Sequence, residues 1–310
     1  MRILLTGCCG QLGQELRSRL LPLGRLYATD SKTPDDEHQL FSLDLTDRGA
    51  LLRILDKLQP DVIVNTAAWT AVDAAENQPE LANLINVEAP QVMAEWAAVN
   101  HALLFHYSTD YVFDGDNTQS WREDDSTNPI SVYGQSKLDG ENVIRDSGCQ
   151  HIIVRTSWVY SSHSNNFVRT MLQLAATRNS LQVVDDQRGC PTLAGNVADV
   201  TVQILKQLES IKSNHLSGVY HYTDDRPLAW CEFADQIFSR AKKIELIRDQ
   251  PEVIPVDSSV FQTTAKRPLY SILNCEKITQ VFGVHQKSFS QALGSCLANI
   301  QLNDSNTPNT

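Results

Sequence analysis

The 310-residue sequence has no apolar run near the roughly 18 residues that cross a bilayer. The short run Ile3-Leu4-Leu5 meets Gly7 too soon to form the apolar segment of a secretory leader. No membrane partner is expected. Cysteine pairing is missing as well. Cys8, Cys9, Cys149, Cys190, Cys231, Cys275 and Cys296 are odd in number and contain no C-x-x-C pair. Neither they nor His38, His101, His106, His151, His163, His215, His221 and His285 have metal-ligand spacing, so no metal is expected and the histidines read as structural or surface residues. The thiols read as reduced side chains of a cytoplasmic protein, used for packing. Positive charge is short too: 26 Lys and Arg against 37 Asp and Glu leave −11 at neutral pH. Such a field repels phosphate backbones, so nucleic acid is not an expected partner. The remaining composition, 42% apolar and 20% charged, suits one large globular domain or two closely joined ones.

The first half alternates short apolar runs with amphipathic stretches. Arg2–Thr6, Leu26–Thr29, Val62–Asn65, Leu103–Tyr107 and His151–Arg155 read as strands, with helical patterns after the first glycines, over Ala50–Leu58 and over Leu81–Asn100. That order predicts an α/β fold with a doubly wound parallel sheet over residues 1–157. Beyond Trp158 strands become sparse and Pro227, Pro251 and Pro268 punctuate the chain, which predicts a smaller, less regular substrate part over 158–310 with room for segments returning to the sheet.

The first strand ends in Gly7-Cys8-Cys9-Gly10-Gln11-Leu12-Gly13, three glycines opening a helix. A tight turn there brings backbone close to a pyrophosphate and aims helix N–H groups at its charge, the Rossmann arrangement, so Gly7, Gly10, Gln11, Leu12 and Gly13 are candidate cofactor residues. Asp30, 17 residues after Gly13, closes the second strand where an acid accepts ribose hydroxyls. Asp44 and Leu45 follow a third apolar stretch and are candidates for the adenine edge. Tyr133-Gly134-Gln135-Ser136-Lys137 places a phenol and an ammonium one helical turn apart. A cation beside a phenol lowers its pKa and suits it to proton donation to a carbonyl. Upstream, Tyr107-Ser108-Thr109-Asp110-Tyr111 ends a strand in hydroxyl residues, at the sheet edge where open α/β folds bind ligands.

These features together resemble an extended short-chain dehydrogenase/reductase. The segments Asn65-Thr66-Ala67-Ala68-Trp69-Thr70-Ala71-Val72-Asp73, Ser108–Phe113, Arg155-Thr156-Ser157-Trp158-Val159-Tyr160, Asp186–Thr192 and Arg267-Pro268 narrow the resemblance to the dTDP-4-dehydrorhamnose reductase family, over almost the whole chain. The resemblance implies reduction of the 4-keto group of dTDP-4-dehydrorhamnose to dTDP-L-rhamnose with NADH or NADPH. It implies that Thr109 bonds the substrate carbonyl, Tyr133 protonates its oxygen, and Lys137 holds the nicotinamide ribose. Ala67 and Ala68 would line the cofactor. Val72, Asp110, Tyr111 and Trp158 would line the sugar pocket, and Asn166 and Arg267 would approach the nucleotide end. The family reading also implies a homodimer, which some members bridge with a divalent cation. Here Pro191-Thr192 is followed by no acid before Asp199, so a metal-bridged dimer is not expected. Two other readings share these motifs: a nucleotide-sugar 4-epimerase or another keto-sugar reductase, and a non-catalytic regulatory subunit resembling that of methionine adenosyltransferase. The full set Thr109, Tyr133 and Lys137 favours an enzyme. Asp30 argues for a free ribose 2′-hydroxyl, while nearby Lys32 offsets it, so the choice between NADH and NADPH stays open.

Overall fold

Apolar runs such as Ile3-Leu4-Leu5 and Val62-Ile63-Val64 leave no polar face, which suits strands covered on both sides by helices. The computed structural model describes residues 1–32, 40–211 and 216–305, so His38 and His215 lie outside the described residues. Strands β1 (Arg2–Thr6), β2 (Arg25–Asp30), β3 (Leu40–Ser42), β4 (Val62–Asn65), β5 (Leu103–Thr109) and β6 (Gln150–Thr156) form one parallel sheet in the order 3-2-1-4-5-6. Reversal of direction between β1 and β4 places a crevice at the carboxyl ends of these strands. A seventh parallel strand, Gly218–His221, adds to the free edge of β6. The chain thus returns to the sheet after leaving it at Trp158.

Alternate strand residues feed two cores. Ile3, Leu5, Val64, Phe105 and Val154 pack with Leu16 and Leu20 of helix α1 (Gln11–Leu20) and with Val197, Ile204 and Leu205 of the helix Ala194–Ile211. Leu4, Ile63, Leu104 and Ile153 pack on the opposite face with Leu51, Leu55, Val92 and Met93. A third core, around Phe233, Phe238, Phe289 and Leu293, belongs to the second part of the chain, where the short strand Ser180–Val184 pairs with Glu252–Val256. The expected helix over 81–100 is helical throughout, with a wide π turn at Leu84–Glu88. That turn presents the Asn86 amide to Trp69 O and to Ser136 Oγ (2.9 Å). No helix of the described residues is long and apolar enough to cross a membrane.

One buried ion pair fixes the helix Val132–Asp146 on the sheet. Arg155 of β6 donates from Nε and Nη2 to the two carboxylate oxygens of Glu141, at 2.8 and 2.7 Å, and both side chains are buried. Removing one partner of such a pair strands the other charge away from water. Glu141→Gln is expected to cost about 3–5 kcal/mol in urea unfolding. Breaking the exposed pair Arg2–Asp61 by Asp61→Asn should cost under about 1 kcal/mol in the same assay.

Candidate active site

The glycine turn is a consequence of crowding. Gly7 has φ +68°, and a Cβ there would stand 2.7 Å from Ala67 N at the end of β4. A Cβ on Gly13 would stand 2.0 Å from Gly7 O, so the helix sits against the turn only without a side chain. Helix α1 begins at Gln11 with no side-chain cap and no acid in its first turn. Its leading N–H groups, partial positive charge included, suit an anionic group. Gln11 anchors the turn to the second part of the chain by accepting from Ser161 Oγ at 2.9 Å. Leu12 is half-buried beside it. Asp30, at the end of β2, accepts the Cys9 N–H at 2.9 Å and remains part-exposed. Asp44 closes a local turn by accepting Thr46 N–H and Oγ1–H, and Leu45 packs inward beside it. Ala67 and Ala68 leave β4 half-buried along the same edge. Buried Ser108 Oγ and Thr156 Oγ1, at the ends of β5 and β6, have no partner among the described residues, which fits an edge built to receive a polar ligand.

Ser131 caps the next helix by accepting Gly134 N–H, which sets Tyr133 and Lys137 on its first turns. Tyr133 lies edge-on to Tyr111, ring centres 5.6 Å apart. Burial raises its phenol pKa, with the Thr109 side chain partly offsetting the rise. Thr109 Oγ1 donates to Asp110 Oδ1 (3.0 Å) and accepts Tyr111 N–H (3.1 Å). Lys137 is buried; Nζ donates to Tyr107 O at 2.7 Å and meets His106 Nε2 at 3.1 Å. Burial lowers Lys137 to about 8, against the pull of Glu141 one turn on. Burial also raises the Asp110 carboxyl to about 6, opposed by hydrogen bonds from Ser271 and Thr109.

Beyond this edge lies a cavity of about 1210 Å³ whose walls include Phe167, Met171, Trp230, Arg178, Lys266 and Arg267. Arg267 donates to Tyr111 Oη (3.2 Å) and is paired with Asp73. Val72 opens the short helix Val72–Asn77 that carries Asp73. Trp158 adopts a left-handed backbone, φ +47°, which a bulky residue takes only when its surroundings enforce it. Its ring lies flat on Trp230, centres 3.5 Å apart, and against Gly189, where a Cβ would come within 2.5 Å of the indole.

The family model for the RmlD substrate binding domain matches residues 1–302. The chain belongs to this family. A dTDP-4-dehydrorhamnose reductase from Salmonella typhimurium is 40% identical over 282 residues, covering 91% of this chain and 92% of that one. Among solved structures, a dTDP-4-dehydrorhamnose reductase from Clostridium acetobutylicum is similar with a TM-score of 0.87 and 34% identity, over 97% of this chain and 100% of that one. The reductase from Bacillus anthracis, solved in complex with NADP, is similar with a TM-score of 0.84 and 33% identity, over 96% and 98%.

Within the RmlD family frame, three of the expected residues are engaged by other groups of the protein. The cation expected to lower the Tyr133 phenol does not act on it. Nζ of Lys137 is engaged with Tyr107 O and His106, and burial drives the phenol the other way. Thr109, expected to donate to a carbonyl, has its single proton on Asp110. Asn166 spends its amide on its own loop: Nδ2 donates to Ser161 O and His163 O, and Oδ1 caps the helix Phe167–Ala175. The acid that follows Pro191-Thr192, Asp199, is paired with Arg19 and Lys287. Sequence reading also passed over Asn65, His106 and Asn86, which bond around Lys137 and Ser136, and Trp230, which backs Trp158. A histidine and an asparagine inside otherwise apolar strands were the signal for the first two. Trp230 lies 72 positions from Trp158 and carried none.

The raised Asp110 carboxyl predicts a pH effect on stability. An acid whose folded pKa lies above its ordinary value holds its proton better in the folded state, so it takes stability away as pH rises from near 3.8 through about 6. Asp110→Asn should therefore stabilise the protein by about 1–2 kcal/mol above pH 6. The gain should vanish towards pH 4, as read by urea unfolding across that range.

Proposed function

We propose that this protein is a dTDP-4-dehydrorhamnose reductase that reduces the 4-keto group of dTDP-4-dehydro-6-deoxy-L-mannose, giving dTDP-L-rhamnose, with NADH or NADPH. The observation that carries the reading is Tyr133 and Lys137, one turn apart on a helix locked over β5, facing the strand end that bears Thr109, with the glycine turn on the same sheet edge. The names of the curated relatives supply the substrate class. Seven cysteines with no disulfide among them, all but Cys9 buried, support the cytoplasm as its compartment.

A bound nicotinamide supplies the hydride. The turn Gly7–Gly13 and the first N–H groups of α1 would hold the pyrophosphate, Asp30 the adenosine ribose, Asp44 and Leu45 the adenine edge, and Ala67 and Ala68 the chain between. Lys137 would take the nicotinamide ribose with an N–H left over from Tyr107 O. Tyr133 donates its proton to the ketone oxygen. Its raised pKa keeps the phenol in the acid form that this donation needs. Thr109, bound to Asp110 and Tyr111 N, orients the phenol and turns toward the carbonyl when that proton is released from Asp110. Val72, Tyr111 and Trp158 wall the sugar, and the stack of Trp158 on Trp230 holds that wall rigid. Arg267, with Arg178 and Lys266 in the adjoining cavity, offers positive charge to a diphosphate. Asn166 shapes the loop beside it. In this reading residues 1–157 carry the cofactor and 158–310 most of the sugar-nucleotide contacts.

The test is loss of reduced-nicotinamide absorbance with nucleotide-linked 4-keto-6-deoxysugars. Turnover of the dTDP sugar is expected. Cofactor that copurifies and is never consumed would point to an epimerase instead. Tyr133→Phe should lower kcat by about 10²–10⁴ with cofactor affinity unchanged. Wild-type turnover in that variant removes Tyr133 from the reaction. For the cofactor, NADH should serve at least as well as NADPH, and Asp30→Ala should move the ratio of kcat/KM values toward NADPH by about 1–2 kcal/mol. An unchanged ratio counts against the ribose role.

A further inference from the structure

Adjacent side chains of an extended strand point to opposite faces. Gly7 leaves β1 at φ +68° and bends the chain, and the thiols that follow it meet: Cys8 Sγ and Cys9 Sγ lie 3.9 Å apart. The same turn is tied to the end of β2, where Cys8 N–H donates to Thr29 O at 3.1 Å and Cys9 N–H to Asp30 Oδ2 at 2.9 Å. The second bond brings a carboxylate to the thiols. Both sulfurs and one Asp30 oxygen lie within 4.8 Å of one another. Cys8 is buried, while Cys9 and Asp30 are half-buried and open the group to solvent. Sequence spacing carries no trace of this group, because the thiols are neighbours and the acid arrives from the next strand.

We infer that Cys8, Cys9 and Asp30 form a site for a thiophilic divalent cation of the zinc and cadmium class, and that a cation held there competes with the cofactor. Two metal–sulfur bonds of about 2.3 Å at a tetrahedral angle set their sulfurs about 3.8 Å apart, close to the separation already present. Thiolate ligands select such soft ions over the hard cations that carboxylates alone would take. Burial keeps the proton on Cys8 in the free protein, pushing its thiol up to about 12. A divalent ion inverts that preference and deprotonates a coordinating thiol outright, so each thiol passes its proton to solvent as its bond to the metal forms. Two thiolates and a carboxylate exceed the charge of the ion by one, and the nearby Arg17 guanidinium of α1 offsets the excess. Three protein ligands leave the fourth tetrahedral position to water. In the proposed function the same turn takes the pyrophosphate and Asp30 takes the adenosine ribose. A cation that draws Asp30 onto the thiols removes that ribose acceptor. The competition rests on that reading, but the site does not.

Cadmium titration of the cofactor-free protein, in a thiol-free reductant, tests the site through the ultraviolet charge-transfer band of cadmium thiolates. One equivalent should raise the band. Loss of an outer partner of a metal costs about 10- to 100-fold in affinity, so loss of a direct ligand should cost at least as much. Cys9→Ser should weaken cadmium binding by that factor and shrink the band per bound ion, whereas Asp30→Asn should weaken binding and keep the band. Cys231→Ala, in the separate core of the second part, should bind as the wild type does. If Cys9→Ser does not fold, the wild type still answers, since saturating cadmium should slow alkylation of Cys9 by iodoacetamide about tenfold or more. No band in the wild type, an undiminished band in Cys9→Ser, or an unprotected Cys9 overturns the site. For the competition, the apparent Kd of NADH, read by its fluorescence, should about double when free cadmium equals its own Kd, and should not change in Cys9→Ser at that concentration. NADH binding indifferent to bound cadmium overturns the competition. A protein that binds no NADH even without cadmium sinks the proposed function, and the band then decides the site on its own.

Discussion

The contact between Arg155 and Glu141 sets the register of one helix on one strand, and the reactive groups inherit their positions from it. Tyr133, Lys137 and Glu141 follow one another at intervals of four along the helix Val132–Asp146, so pinning the last of them pins the other two. An adjoining side of the same helix is held through Ser136 by Asn86, and Gly140 lets the backbone of that neighbour approach, since a Cβ there would lie 2.2 Å from Asn86 O. A bidentate guanidinium–carboxylate pair tolerates little sliding, because both hydrogen bonds lengthen together. Its desolvation cost is repaid in geometry more than in stability.

Polar side chains at the carboxyl ends of apolar strands are the second element. Thr6, Asn65, Thr109 and Thr156 end four adjacent strands, with His106 mid-way along β5, and each would be a liability in an apolar sheet interior. Thr6, Asn65 and His106 satisfy one another and Thr109 is bonded locally. Burial then does the electrostatic tuning: it favours the phenol at Tyr133 and weakens the ammonium at Lys137. Tyr133 and Lys137 thus share a dry environment that shifts both of their pKa values.

The strands, the glycine turn and the Tyr–Lys spacing were legible in the sequence because each is written within a dozen residues, as a period or a fixed offset. The tertiary partners were not. Asp73 and Arg267 meet across 194 positions, and no local pattern links them. Gly218–His221 is four residues with no long apolar run of its own, and it pairs with the otherwise free edge of β6. The direction of the Tyr133 shift was misread for a related reason. Spacing tells which side chains share a helix face, whereas the direction of a pKa depends on what else is packed there.

The late arrival of the Gly218–His221 strand bears on how the chain is made. During synthesis, β1 to β6 can assemble once Thr156 has emerged, yet β6 then presents an unpaired edge until some 60 further residues are available. Those intervening residues begin a core of their own around Tyr160 and Val168 that is completed only by Phe233, Phe289 and Leu293. Neither half can close without the other, so the nascent protein passes through a stage with one adhesive strand edge and one half-built core, the state most open to capture by chaperones or by another copy of itself.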